Sequence, residues 1–308
     1  MRIAVTGALG HIGSYLIRDL AQKQLAHEII MVDDLSTQRY SSLFNLKASA
    51  TYQFVHGDIL KLDLHKILEG VDTVIHLAAI TDAAGSFNIK DKVEQNLVLT
   101  QKVAEACCET GAALIFPSTT SVYGTQKELV SEDCSQEDLK PQSPYAETKL
   151  REEELLTTLG KSGNLKHIIC RFGTIFGTSP GMRFHTAVNK FCWQAAMGEP
   201  LTVWETALDQ KRPYLDIFDA SRAIEFIIQK RIFDAKIYNV LTLNSTVRNI
   251  TDIIRDIIPT LKIELTQSKI MNQLSYEVAN SRFRDLHFEF KGDLRKSIRE
   301  TLSLLTPS

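Results

Sequence analysis

Over the first 170 residues, short apolar runs alternate with stretches in which apolar side chains recur every three to four positions. The runs at Arg2 to Val5, Glu28 to Val32, Tyr52 to His56, Thr73 to His76, Ala113 to Pro117 and His167 to Arg171 predict strands. The spaced stretches at His11 to Lys23, Lys90 to Glu109 and Pro144 to about Leu159 predict amphipathic helices. Strand and helix in alternation predict an α/β fold: a doubly wound parallel sheet of Rossmann type, with helices on both faces. Ser143-Pro144 marks a helix start, with serine as N-cap and proline at the first helical position. A loop is expected from about Thr125 to Gln142.

Past Arg171 the pattern loosens. Met182 to Met197 reads as a helix ended by Gly198-Glu-Pro200. Leu201 to Trp204 and Tyr214 to Phe218 read as short strands, and Asp219 as the cap of a helix to Gln229. Lys236 to Val240 reads as a strand, Ser245 as the cap of a helix to Ile258, and Lys291 to Leu305 as a last helix. The expected division is a dinucleotide-binding Rossmann domain at 1–171, rejoined by segments near 213–243, and a smaller α/β substrate domain at 172–308.

Composition narrows the class without naming it. With 308 residues, 44% hydrophobic and 23% charged, the chain can bury a large core. A net charge of -2 predicts no broad field that would gather nucleic acid or an anionic membrane. No apolar run reaches the roughly 18 residues of a membrane span, and strand-like residues from Arg2 leave no room for a signal peptide. The five cysteines (107, 108, 134, 170 and 192) form no CxxC pair, so packed, reduced thiols are expected, with no metal site. These readings place the protein in the cytoplasm.

Three glycines, Gly7, Gly10 and Gly13, link the first strand to the first helix in the run Thr6-Gly-Ala-Leu-Gly-His-Ile-Gly13. Glycine lets the backbone turn tightly and approach a pyrophosphate, and the helix behind it presents free N–H groups. Asp33 follows Gly13 by 20 residues and ends the second strand, where a carboxylate accepts from both ribose hydroxyls of NAD and repels a 2'-phosphate. Asp34 can share or take this role, and Arg39 can oppose the preference by pairing with a 2'-phosphate. Asp58, in His56-Gly57-Asp58-Ile59, can bond an adenine amino group.

Tyr145 and Lys149 stand at i and i+4, on one side of a predicted helix. A phenol with a pKa of about 10 needs roughly 4 kcal/mol of help to act as a base near neutrality. A lysine ammonium together with a positive nicotinamide ring can supply it. Phe116-Pro-Ser-Thr-Thr-Ser-Val-Tyr-Gly124 ends the fifth strand on the sheet's carboxyl edge, and Thr119 or Ser118 can set a hydroxyl beside the reacting oxygen.

With these motifs the chain resembles the extended short-chain dehydrogenase/reductases, and among them the NAD-dependent epimerase/dehydratase family, which acts mainly on nucleotide-diphosphate sugars. The resemblance rests on the glycine run, His76-Leu-Ala-Ala79, Ser118-Thr-Thr-Ser-Val-Tyr-Gly124 and Pro144-Tyr-Ala-Glu-Thr-Lys149. Weaker matches are Asn96, Gln210-Lys-Arg212 and Tyr238-Asn-Val240. It implies Tyr145 as base, Lys149 as its orienter and Thr119 as hydroxyl partner. It implies NAD against Gly7, Gly10, His11, Ile12, Gly13, Asp33, Asp34, Asp58, Ile59, Leu77, Ala78, Ala79, Asn96 and Ser118, and substrate against Thr81, Thr119, Thr174 and Arg212, the last on the pyrophosphate. It also implies a homodimer paired through the helices at 90–109 and 144–159.

Members that dehydrate the sugar resemble one another in an Asp-Glu pair after the position of Thr119, where this chain has Thr120 and Ser121. The glutamate of decarboxylating members and the cysteine of those that epimerise C3 and C5 and then reduce are absent. What the resemblance leaves is inversion at C4 through a transient 4-keto sugar, with NAD regenerated in place. A sugar-nucleotide dehydrogenase or reductase is the alternative, and a non-catalytic nucleotide sensor a further one. Thr174 stands where such epimerases often have asparagine. The usual arginine for the second phosphate is missing, with Lys269 and Arg282 as basic alternatives. Met182-Arg-Phe-His185 either shapes the sugar pocket or packs as a helix, and His56 and His76 read as backbone-satisfied.

Overall fold

The structure, a computed structural model, describes residues 1–81, 85–124, 128–267 and 275–306. Its centre is a parallel sheet of β1 (Arg2–Thr6), β2 (Glu28–Asp33), β3 (Thr51–His56), β4 (Thr73–His76), β5 (Ala113–Thr119), β7 (His167–Phe172) and β11 (Ile237–Val240). Between these run α1 (His11–Gln22), α2 (Leu64–Leu68), α3 (Lys90–Thr110), the short β6 (Leu129–Val130) and α4 (Pro144–Lys161). The spatial order is β11-β7-β5-β4-β1-β2-β3. The chain therefore builds outward from β1 in one direction, then returns through β4 in the other. The crevice between β1 and β4 is the switch point where ligands bind in such sheets.

One face of the sheet packs Leu64, Leu68, Val103, Cys107 and Leu156 of α2, α3 and α4. The other face packs Leu16, Ile17 and Leu20 of α1 against Ala220, Ile224 and Ile227 of α6 (Ile217–Lys230). Burial on both faces explains why the inner strands are apolar without alternation, whereas the edge strand β3 is partly exposed. Ser143 caps α4 by accepting from Ala146 N–H, with Pro144 behind it, as the sequence predicts.

The second lobe holds β8 (Thr174–Phe176), α5 (Ala187–Ala196), β9 (Leu201–Trp204), β10 (Lys211–Asp216), β12 (Leu243–Thr246), α7 (Val247–Ile257), β13 (Ile263–Thr266), β14 (Glu277–Val278), α8 (Ser281–Arg284) and α9 (Leu294–Leu305). Its core joins Phe176, Phe191 and Cys192 to Ile250, Ile254, Ile298 and Leu302. Of the segments near 213–243, β11 lies on the main sheet, whereas β10 pairs with β8 and β12 in a sheet of three.

Several boundaries differ from the sequence reading. The helix expected from Met182 starts at Ala187. Pro180-Gly181 is pressed over the glycine loop, so that a Cβ on Gly181 would lie 2.2 Å from the Leu9 carbonyl, and Thr186 is extended. The strand expected at 214–218 spans Lys211–Asp216, and Asp216 rather than Asp219 caps the next helix, accepting from Phe218 N–H. Asp219 is buried, and its carboxylate accepts from the N–H groups of Lys291 and Gly292 and from Thr242 Oγ1. Thr246 and Asp293, not Ser245 and Lys291, open the last two long helices. Cys107, Cys170 and Cys192 are buried free thiols, consistent with packing.

Candidate active site

A single cavity of about 890 Å³ runs from the glycine loop, past Tyr145, to Arg212. At its first end β1 stops at Thr6 and the chain turns at Gly7, whose φ of +65° favours glycine. A Cβ on Gly7 would sit 2.7 Å from Ala78 N, and one on Gly13 would sit 2.6 Å from the Gly7 carbonyl, so both glycines are fixed by close backbone approach. Gly10 differs. A Cβ there meets only the Gly7 carbonyl at 3.2 Å and Arg39 Nη1 at 3.8 Å. Gly10 is the N-cap of α1, and no side chain caps that helix. Its first N–H groups are thus offered to the cavity, as an anionic pyrophosphate requires.

Asp33 folds back on this loop: Leu9 N–H donates to its Oδ2 at 3.0 Å and Leu35 N–H to its Oδ1 at 2.9 Å. Asp34 is exposed and accepts from Ser36 N–H. Arg39 is half-buried in the same end of the cavity and held below its usual pKa range by burial. Asp58, accepting from Leu60 N–H, and Ile59 line the wall across from it, as do Leu77, Ala78 and Ala79. Asn96 holds the wall together by exchanging both amide hydrogen bonds with Ile80, at 2.9 Å each. Thr81 Oγ1 is buried at the lining without a hydrogen-bond partner among the described residues. His11 lines the cavity too, but its Nε2 faces the Gly177 carbonyl at 2.9 Å, and burial pushes its pKa down to about 4. An apolar-walled slot, an uncapped helix start, a carboxylate at the second strand's end and an orphaned hydroxyl together fit a dinucleotide.

In the middle of the cavity, β5 runs two residues beyond its expected end, which brings Ser118 and Thr119 onto the strand. Ser118 Oγ donates to Glu153 at 2.5 Å, so its hydroxyl is committed to the core. Thr119 Oγ1 accepts from Ser121 N–H, which leaves its own hydrogen for a ligand. Tyr145 and Lys149 face this point from α4. Lys149 is buried, with Nζ 3.3 Å from Glu152 Oε2 and 4.3 Å from the centre of the Phe116 ring. The Tyr145 phenol is pushed above its ordinary pKa by burial and by the Glu152 charge, with Arg183 pulling the other way. In the protein by itself, then, burial and Glu152 both oppose ionisation of the phenol.

The far end carries the substrate-side expectations. Thr174 lines it from β8 and Arg212 from β10, the guanidinium lying 4.9 Å from the Tyr276 ring centre. The sequence reading did not assign Lys190, Trp204 or Tyr276, which line it as well, and left Arg183 and His185 open. The 177–186 segment is not helical, and it sets both of those side chains in the cavity. No spacing signal marks Lys190, one position among many in an amphipathic helix. Glu152 did carry one: it is seven residues from Tyr145 and three from Lys149, on the same helix face. Arg282 instead donates to Ile237 O and pairs with Asp133, away from the cavity, and Lys269 lies outside the described residues. His76 is satisfied by hydroxyls, Thr6 at 2.7 Å and Thr100 at 3.1 Å, rather than by backbone.

The family model for the NAD dependent epimerase/dehydratase family matches residues 3–240. A protein of Bacillus subtilis (strain 168) named as an uncharacterized UDP-glucose epimerase is 34% identical over 240 residues, 75% of this chain and 73% of that one. A trifunctional UDP-glucose 4,6-dehydratase, 3,5-epimerase and reductase of Arabidopsis thaliana is 30% identical over 99% of this chain, which spans only 47% of that longer protein. Among solved structures, the UDP-glucuronic acid 4-epimerase of Bacillus cereus, in complex with UDP-glucuronic acid and NAD, superposes with a TM-score of 0.89 at 26% identity, over 99% of both chains.

Proposed function

The chain belongs to the NAD dependent epimerase/dehydratase family, and from that membership we propose that it is an NAD-dependent nucleotide-sugar epimerase inverting C4 of a nucleotide-diphosphate hexose. One observation carries the reaction type. The carboxylates lining the cavity among the described residues are Asp33, Asp34 and Asp58, all at the glycine-loop end. At the reacting centre the titratable hydroxyl is Tyr145, beside Thr119, while Thr120 and Ser121 offer no acid or base for eliminating water.

Gly7, Gly10, Gly13 and the start of α1 would hold the pyrophosphate of NAD, Asp33 its adenosine ribose, and Asp58 and Ile59 its adenine. When bound, NAD supplies the acceptor and later the donor of the hydride at C4. Tyr145 takes the proton of the C4 hydroxyl and returns it after the 4-keto sugar has turned over. Thr119 donates to the same oxygen and keeps it aligned. Lys149 fixes the phenol's approach, and Arg212 pairs with the diphosphate as a planar fork. Burial of the site keeps water from the keto sugar.

The test is to incubate the purified protein with UDP-glucose, UDP-N-acetylglucosamine, UDP-glucuronic acid and their C4 epimers, and follow the sugars by NMR. Interconversion at C4 without added NAD turnover is the expected result. Net appearance of NADH with no epimer would replace the proposal by a dehydrogenase. The protein is further expected to act in the cytoplasm as a homodimer through the outer faces of α3 and α4, where Val98 lies 53% exposed. Sedimentation at the monomer mass would reject the dimer.

A further inference from the structure

A chain of hydrogen bonds crosses the nucleotide-binding lobe and ends on a buried carboxylate that the proposed reaction does not use. Ala78 N–H donates to Thr6 Oγ1 at 3.3 Å, and Thr6 Oγ1 lies 2.7 Å from His76 Nδ1. His76 Nε2 lies 3.1 Å from Thr100 Oγ1, which donates to Glu152 Oε1 at 2.5 Å. Because the carboxylate can only accept, every hydroxyl is oriented: Thr6 donates to Nδ1, and Nε2–H donates to Thr100. His76 is held neutral, burial pushing its pKa down to about 3, and so cannot balance the carboxylate. The other Glu152 oxygen has no hydrogen-bond partner and faces Lys149 Nζ at 3.3 Å. Glu152 is 1% exposed and Lys149 3%, so neither charge is shared with water.

The surrounding charges are already spent elsewhere. Arg171 from β7 pairs with Glu153, and Arg151 of α4 stands 4.0 Å from Glu94 of α3 at the surface. Arg183, beyond β8, acts on Tyr145 from the cavity side. The ammonium of Lys149 and the carboxylate of Glu152 are therefore each other's main counter-charge. At Tyr145 the Glu152 charge adds to burial in opposing the phenolate, against the pull of Arg183.

We propose that Glu152 is a positioning residue for the epimerisation: it anchors the Lys149 ammonium and offsets its charge, so that Tyr145 becomes a base only once the positive nicotinamide ring completes the site. The chain from Thr6 and Ala78, which wall the glycine loop, holds that carboxylate in place from the cofactor side. This inference rests on the epimerase reading for its kinetic test but not for its spectroscopic one.

The test is Glu152→Gln, with Thr100→Val as a second variant that keeps the packing and removes only the hydroxyl supporting the ionised carboxylate. The acid limb of the kcat/KM profile for C4 interconversion is expected to move to lower pH in Glu152→Gln, by about one unit. In Thr100→Val it moves the same way by less. The phenol signal of Tyr145 in the NAD complex, followed by NMR with labelled tyrosine and assigned with Tyr145→Phe, shifts its titration in parallel. If Glu152→Gln does not fold, Thr100→Val decides alone. A limb and a phenol titration that stay put in a folded variant overturn the role of Glu152, whatever happens to kcat. Absence of C4 interconversion in the unaltered protein overturns the epimerase reading instead, and the phenol titration then still judges Glu152.

Discussion

Tyr145→Phe is expected to lower C4 interconversion by roughly 10²- to 10⁴-fold, the usual worth of a positioned proton donor and acceptor. Phenylalanine keeps the ring, and with it the packing at the second position of α4, so the folded protein and its hold on NAD should survive. The loss should fall on kcat, because the phenolic oxygen works on the proton in flight and adds little to ground-state binding. Burial and Glu152 push the Tyr145 phenol up before the cofactor's charge is added. The basic form is thus scarce at low pH, and the unaltered enzyme should lose rate as pH falls. The residual rate of Tyr145→Phe should be flat across that limb. A kcat within threefold of the unaltered enzyme, or a limb that persists without the phenol, would exclude Tyr145 as the base.

The largest expected effect on stability lies one shell away, at Arg171. Its Nε and Nη2 reach Glu153 at 3.0 and 2.6 Å, and its Nη1 donates to the Tyr123 hydroxyl at 2.9 Å. Burial opposes the charge, but Glu153 and Tyr123 more than offset it and hold Arg171 above its ordinary pKa. The same Glu153 accepts from Ser118, and Tyr123 donates to Asn239 at 2.9 Å, so one network ties β5, β7, α4 and β11 at the carboxyl edge. Arg171→Met leaves the carboxylate buried and uncompensated and should cost about 3–5 kcal/mol. Adding Glu153→Leu should recover most of that, since a buried pair replaced by apolar side chains is often neutral. Urea midpoints of the single and double variants measure both steps. A single variant as stable as the parent would show that the network does not support the sheet edge.

Glu153 and Glu152 show where reading the chain as a string stops. In Arg151-Glu-Glu-Glu154 they look like any solvated helical charges, and only the twist of α4 against α3 and β5 buries two of the four. Apart from Lys149, their partners are Arg171 and Ser118 for Glu153 and Thr100 for Glu152, 18 to 52 residues away. Spacing sets Glu152 beside Lys149, but no local pattern encodes the long-range pairings, because each distant partner satisfies its own strand or helix equally well without them. The positions of Arg183 and His185 have a similar cause. The helix their sequence allows is blocked by the Gly181 backbone lying against Leu9, a contact between the two lobes.

The sequence by itself determined what local physics controls. Unbroken apolar runs marked the strands of a two-faced sheet, because side chains on both pleats meet helices. Glycine spacing marked the turn after β1, because a Cβ at residue 7 would collide with the Ala78 backbone. Ser143-Pro144 marked the start of α4, and with it the common face of Tyr145 and Lys149. Tertiary structure alone decided the charge balance around that face. Electrostatics in a buried site depends on which groups are brought within a few ångströms and which are cut off from water, and neither is a property of neighbours along the chain.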